Sequence, residues 1–396
     1  MSLPSPPQLI RPAGTSNEDV TLLVNSRTFR VWQHLELTRG IELAAATWGV
    51  QATARWPDES NPIRIRPLSD VNLYLGEDLV VTGFVDTISP SYSARDHAIQ
   101  VTGRSRPGQL VDCSHVDAGP QFRNQTLLQI ARALAAPYGI DVRAPVDTGA
   151  PIRRFVLEPT ETVFAAIERL ARLRQLLVTD NADGDLVLTK AGTTRAIGAL
   201  VCEAGPISAL PRYGPRGNIL SASASFDGSM RYSEYLCRSQ MVPSDSTFGT
   251  PASETAGSET DDGLDLRRVL RISPEGPSDN ATCKARATWE AARRAGRSVS
   301  YECTVQGWRQ AKDGPLWEPN QLVSLDDRII GLEAEMLITQ CTYTLGLDGS
   351  RCTLTLAMPA AYELEPPRKV RTGGRRGTAV GAWKELDGPL LPEAVK

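Results

Sequence analysis

Apolar and polar positions alternate with a period of two over most of this chain, giving way to a helical period in three places. Val20, Leu22 and Val24 alternate ahead of Asn25-Ser26-Arg27, and Phe29 and Val31 continue on the other arm, which predicts a hairpin. Leu35 and Leu37 alternate with polar neighbours between Trp32 and Arg39, and Ala44-Ala45-Ala46 leads to Trp48. A loop with Trp56-Pro57 and Asn61-Pro62 then carries the chain to Ile63 and Ile65. Leu79, Val81, Val85 and Ile88 form a β-run expected to bend at Gly83, because a glycine inside a strand marks a bend or bulge. Ile99 and Val101 alternate with Gln100 and Thr102, and Ser89-Pro90-Ser91-Tyr92-Ser93 supplies the turn between the two runs. Phe84 and Val101 are placed in the core. Strands recurring at roughly eight- to twelve-residue intervals predict a closed or half-closed β-barrel over residues 1–112.

The period changes near residue 120. Leu127, Leu128, Ile130, Ala131, Leu134 and Ala135 make a helical stripe that ends before Pro137 and Gly139. A second helix is expected after Pro159, with Thr160 as N-cap, Glu161 in the first turn, and Val163, Phe164, Ile167, Leu170, Ala171 and Leu173 on its buried face. Leu176-Leu177-Val178 and Leu186-Val187-Leu188 flank Asp183-Gly184 as a tight hairpin. Residues 113–198 therefore read as a small α+β domain. Both helical stripes read as core-facing.

Strand-like runs return over Asn218–Met241. Residues 243–263, PSDSTFGTPASETAGSETDDG, hold almost nothing apolar and predict a solvated loop whose deletion from Ser244 to Ser258 leaves folding intact. The third helix spans Asp279–Gly296, with Trp289 on one face and Arg286, Arg293, Arg294 and Arg297 on others, a pattern that reads as a solvated or subunit-facing side. Alternation resumes over Val299–Val305, Leu316–Val323, Leu337–Leu345 and Cys352–Met358, the last two forming a hairpin across Asp348-Gly349. A second β-barrel domain is thus expected from residues 199–240 and 297–362, interrupted by a polar loop and helix at 241–296. Residues 363–396 are rich in Pro, Gly and Arg, the composition of an extended tail, with Trp383 as a candidate anchor on a partner.

A chain of 396 residues suffices for two to four domains. No apolar run is long enough to predict a membrane span, and the MSLPSPPQLIRPAG start lacks the basic and apolar regions of a secretory signal. The net charge of −3 gives no electrostatic basis for gripping nucleic acid. The seven cysteines lack CxxC spacing and read as reduced, buried thiols, although Cys341 and Cys352 flank a turn and could face each other across it. His34, His97 and His115 are scattered and read as ordinary surface or core residues.

Catalytic signatures are missing. The sequence holds no GxSxG elbow, HExxH helix or GK[ST] phosphate loop, and the glycines of Thr102–Gly108 lead into no phosphate-cradling helix. Asp261-Asp262 and Glu158/Glu161 are the carboxylate pairs a glycosidase could use, but solvation explains the first and offset of a helix dipole the second. No catalytic, cofactor-binding or metal-ligating residue is assigned, and no cofactor is expected.

The wording of several blocks resembles the baseplate hub proteins of Mu-like contractile-tailed phages. These blocks are Gly83-Phe84-Val85-Asp86, Val101-Thr102-Gly103-Arg104-Ser105, Leu110-Val111-Asp112-Cys113-Ser114, the helix around Thr162–Arg172 and its following hairpin, Arg286-Ala287-Thr288-Trp289-Glu290, Val305-Gln306-Gly307-Trp308, Gly314–Val323, Met336-Leu337-Ile338 and Leu354–Tyr362. They occur in family order over about residues 20–362; the segment 243–263 has no counterpart among them. The resemblance implies a structural, non-enzymatic hub with two tube-like β-barrels, a small α+β domain and an inserted helix. It further implies a homotrimer in the virion baseplate, made in the host cytoplasm, that joins the tail tube or its initiator to the central spike and contacts neighbouring wedge proteins. DNA would pass along its axial channel without specific binding. Two other readings stay open at this point: a baseplate-borne peptidoglycan hydrolase using Glu158 or Asp261, and a hub-spike component of a related secretion machine.

Overall fold

The structure, a computed structural model, describes residues 19–25, 27–30, 32–53, 65–93, 97–115, 121–158, 160–203, 216–240, 254–273 and 280–362. The loop at Trp56–Ile63, the first part of the polar segment and the tail with Trp383 lie outside the described residues. The chain is mainly β and divides into two compact units. The first comprises Met1–Thr189, Gly307–Pro315 and Thr342–Cys352; the second comprises Lys190–Gln306, Leu316–Cys341 and Thr353–Lys396.

In the first unit, β1 (Val20–Val24), β2 (Arg27–Phe29), β3 (His34–Gly40), β4 (Thr47–Thr53), β5 (Asp70–Leu75), β6 (Asp78–Tyr92) and β7 (His97–Ser105) pair in the order β2-β1-β5-β6-β7-β4-β3. All six of these pairings are antiparallel, and the alternation seen in the sequence is what fixes the register: Leu22, Leu35, Leu37, Val50, Leu73, Val81, Val85 and Val101 are fully buried. Two expectations are corrected here. Phe84 is half-buried, because the row carried by Val81, Val85 and Val101 fills the interior without it. The β6–β7 register shifts between Val85 and Thr87, so the irregularity sits at Asp86 and not at Gly83. Gly83 is instead a point of close approach, where a Cβ would stand 2.0 Å from the Arg104 carbonyl oxygen.

The same unit carries α1 (Gly108–Asp112), β8 (Gln121–Phe122), α2 (Leu127–Ala135), β9 (Val142–Arg143), β10 (Phe155–Val156), α3 (Val163–Leu173), β11 (Leu177–Asp180) and β12 (Leu186–Thr189). Leu127, Ile130, Leu134, Val163, Ile167, Leu170, Leu186 and Leu188 share one buried core. Thr126 caps α2 by accepting from Gln129 N, while the Gln129 side chain accepts from Thr126 N, a reciprocal pair that satisfies two otherwise orphaned donors. The N-cap of α3 is Thr162, not Thr160: its Oγ1 accepts from Ala165 N at 3.2 Å.

In the second unit, β13 (Thr194–Arg195), β14 (Leu200–Glu203), β15 (Arg216–Gly217) and β16 (Ile219–Phe226) precede a small sheet of β17 (Glu234–Gln240), β18 (Glu254–Thr260) and β19 (Val269–Ile272). Then follow α4 (Asn280–Arg297), β20 (Val299–Gln306), β21 (Gln321–Asp327), β22 (Leu332–Gly346) and β23 (Gly349–Ala357). The larger sheet runs β16-β20-β23-β22-β21-β14-β15, and the small one β18-β17-β19. The turn-proximal residues of the β22–β23 hairpin belong to the first unit. The reading of 243–263 as a loop is corrected: Glu254–Thr260 pairs along its length with β17, because strand formation needs partnered backbone and one packed face, not apolar composition. Gly257 provides the close approach; a Cβ there would lie 2.2 Å from Lys284 N on α4.

Candidate functional site

Three of the sequence blocks in the first unit converge on one ion network. Arg104 Nε donates to Asp86 Oδ2 at 2.8 Å, and its Nη2 donates to Asp112 Oδ2 at 2.6 Å. Hydrogen bonding by Asp112 and Asp86 raises the guanidinium pKa further, and the same bond from Arg104 holds the Asp112 carboxyl below its usual range. The neighbouring Ser105 Oγ accepts from Ala46 N at 3.0 Å, as does Asp180 Oδ2 at 2.9 Å. These residues pin β7, α1 and β11 to one another. With Arg104 and Asp86 about one-third exposed, the network orders the joint more than it stabilises it.

The candidate carboxylates do not form an acid/base pair. Asp261 is fully buried and accepts from Arg231 Nε at 2.9 Å and Nη2 at 2.7 Å, while Asp262 is exposed. Arg231 was not singled out by the sequence; its spacing from Asp261 becomes meaningful only when β17 and β18 pair. Glu161 is bound to Arg169 at 2.7 Å and accepts from Glu158 N, and the Arg169 bond keeps its carboxyl below the ordinary value against the opposing effect of burial. Glu158 itself is exposed. Among the described residues, no group of His, Cys, Asp and Glu is arranged to hold a metal ion. No disulfide joins any of the seven cysteines; Cys303 is pushed up to about 12 by burial and by Asp327, so its thiol is inert at neutral pH.

Helix α4 carries Arg286, Arg293, Arg294 and Arg297. Arg286 and Arg293 stack on Trp289 at 4.6 and 5.1 Å from the ring centre. Arg294 Nε donates to Glu290 Oε1 at 2.7 Å and its Nη1 to the Met230 carbonyl at 3.1 Å. Arg293, Arg294 and Arg297 line a cleft of about 190 Å³ with Asp227, Met230, Glu290 and Ser298. Burial and then the Arg297 charge lower the Arg293 pKa, leaving it cationic.

Comparison with known proteins places this chain among the structural proteins of a phage tail baseplate. Family models agree along the chain: a Mu phage baseplate assembly protein GpP-like N-terminal domain over residues 19–105, a baseplate hub protein gp44-like second domain over 107–190, and a GpP fourth domain over 279–365. Baseplate hub protein gp44 of Escherichia phage Mu is 30% identical over 377 residues, covering 92% of this chain and 95% of that protein. The chain belongs to the Mu-type baseplate hub family. The 43 kDa tail protein of prophage MuSo2 from Shewanella oneidensis is similar in structure, with a TM-score of 0.70 at 30% identity over 88% of this chain and 100% of that one. A tail protein from Neisseria meningitidis MC58 shares the fold, with a TM-score of 0.67 at 21% identity over 87% of this chain and 97% of that one. The role is that of a structural hub in the virion's tail baseplate, and no helix among the described residues is long and apolar enough to cross a membrane.

Proposed function

We propose that this hub acts as a symmetry adapter: a homotrimer of two tube-like barrels per chain, joining the tail tube to the central spike around an axial channel for DNA. The observation that carries the reading is the repetition of a large, largely antiparallel sheet in both compact units. In the second unit the two ends of the sheet meet at Asn218, whose Nδ2 donates to the Ala199 carbonyl and whose Oδ1 accepts from Val201 N, which favours a barrel. Three chains with two barrels each present six similar barrels to a sixfold tube, and heterologous contacts close such a ring. The domain division we carry forward is 1–112, 113–198, 199–240 with 297–362, an insertion at 241–296, and a tail at 363–396.

The hub is a scaffold without bond chemistry of its own, its partners being its own copies, the tube or tube initiator, the spike and adjacent wedge proteins. The engagement of Asp261 by Arg231 and of Glu161 by Arg169 supports this over a hydrolase. Native mass spectrometry of the purified protein, or copy counting in a baseplate reconstruction, tests the proposal. Three copies are expected; six copies per baseplate would overturn the adapter while leaving the hub role intact.

A further inference from the structure

The outer face of α4 carries more positive charge than its surroundings answer. Arg286, Arg293 and Arg297 fall on one side of the helix, away from the buried Ala287, Ala291 and Ala295. Glu290 is shared by Arg286 at 4.0 Å and Arg294 at 2.7 Å, and Asp227 accepts from Ser229 N at 2.8 Å. Arg293 stacks on the Trp289 ring, and among the described residues neither it nor Arg297 has an ion-pair or hydrogen-bond partner. Offset of the helix dipole accounts for cations in the last turn, where Arg294 and Arg297 lie. It does not account for Arg293, half-buried a turn earlier beside the like charge of Arg297.

The described chain ends beside this row. Its last element, the 3-10 turn Pro359–Tyr362, lies on the final turn of α4: a Cβ at Gly296 would stand 2.4 Å from Ala361 N and 2.8 Å from the Ala360 carbonyl carbon. Gly296 precedes Arg297 and lies one turn from Arg293. The next residues in the sequence are Glu363-Leu364-Glu365-Pro366-Pro367, outside the described residues. The GpP fourth-domain match, residues 279–365, takes in α4 and both glutamates and stops before the prolines. Three residues of chain reach about 11 Å at most, so Glu365 is confined to the neighbourhood of this end of α4. Pro366 biases Glu365 towards extended backbone. In an extended chain two such glutamates face the same side about 6.6 Å apart. Arginines at i and i+4 of a helix stand about 6 Å apart along its axis, a close match.

We propose that Glu363 and Glu365 dock on Arg293 and Arg297, closing the cleft on α4 and fastening the root of the C-terminal tail to the second unit. The occupant is this chain's own segment because it brings the required charge at the required spacing and starts within reach. Guanidinium groups suit it, since each can hold a carboxylate through two parallel hydrogen bonds. The arginine face is then a clamp for the tail and not a contact with another subunit. Residues 366–396, with Trp383, are presented to partners from this fixed point.

A nitroxide attached at Leu364→Cys reads the docking in the free full-length chain, in a Cys113→Ser background because the other six cysteines are buried. The label should be immobilised, with a rotational correlation time about threefold or more above that in charge-reversed variants. Arg293→Glu with Arg297→Glu should release it, as should Glu363→Arg with Glu365→Arg, and combining the four changes should restore immobilisation. Arg297→Glu alone, at an exposed position, should loosen it in part. Raising salt from about 0.1 M to 1 M should loosen it as well, since partly exposed ion pairs are screened. A label that is mobile in the parent chain, stays immobile in either charge-reversed variant, or stays mobile after the fourfold exchange would overturn the clamp. Immobilisation lost on dilution would put the segment on a second copy and overturn the assigned occupant. Because the free chain is measured, none of these outcomes bears on the hub role.

Discussion

Arg231 and Asp261 are both removed from water, and their geometry, with two guanidinium nitrogens on one carboxylate, is what makes that burial tolerable. Removing one partner strands the other charge in the interior. Asp261→Asn is therefore expected to destabilise by about 3–5 kcal/mol, whereas Arg231→Met with Asp261→Leu should cost less than either single change. Urea unfolding of the single and double variants checks this; a neutral Asp261→Asn would remove the argument. Gly257 tests packing in the same region. A Cβ there meets backbone atoms of Cys283 and Lys284, not a movable side chain, so Gly257→Ala should cost about 2–3 kcal/mol or more and lower the thermal midpoint. Neither residue was legible as a core residue in the sequence. Asp261 follows a run of Ser, Thr, Gly and Glu, and composition carries no information on which polar residue will find a partner 30 positions earlier. By contrast, Leu35, Val85 and Val101 lie in strict alternation, and that alternation placed them inside correctly.

At the scale of elements, the sequence located many of the strands and all three long helices, because amphipathic periodicity is a local signal. It read Ser89–Ser93 as a turn where β6 stays paired with β7 through Tyr92, and it left β5 unread. It misplaced the N-cap of α3 by two residues, since Thr160 and Thr162 are equally good capping chemistry and only the bond to Ala165 N decides between them. It missed β18 altogether, because that strand is held by pairing with β17 and by α4 packed against it. Removal of Ser244–Ser258, which takes five residues of β18, is consequently expected to unfold the β17–β19 sheet and yield insoluble or strongly destabilised protein. A deletion variant with an unchanged midpoint would contradict the pairing. The Glu161–Arg169 link makes a pH-dependent contribution. The folded carboxyl is held below its unfolded value, chiefly by the Arg169 hydrogen bond, so its contribution is complete above the unfolded value and disappears as pH falls through the folded one. Urea midpoints should fall from about pH 4 downward, and Glu161→Gln should be less stable at pH 7 with a shallower acid dependence.

For the whole molecule, family membership was legible because the motif blocks are joints: Asp86, Arg104 and Asp112 lie in three separate blocks and meet in one network. What the blocks could not disclose is surface, since cleft-lining residues such as Arg293 and Arg297 follow no spacing rule of their own. Surface charge nevertheless bears on the proposed channel. Binding to duplex DNA draws on release of counterions as lysines and arginines neutralise phosphates. Here Lys and Arg total 43 against 46 Asp and Glu, and several arginines are already committed to carboxylates of the same chain. A conduit that held DNA electrostatically would also retard its passage, so a weakly charged lining suits transit. The purified protein is therefore expected to leave the electrophoretic mobility of linear duplex DNA unchanged even at about 50 mM salt, where non-specific binding is strong for a cationic protein. A salt-sensitive shift at micromolar protein would show a concentrated basic surface and replace passive transit with a gripping role.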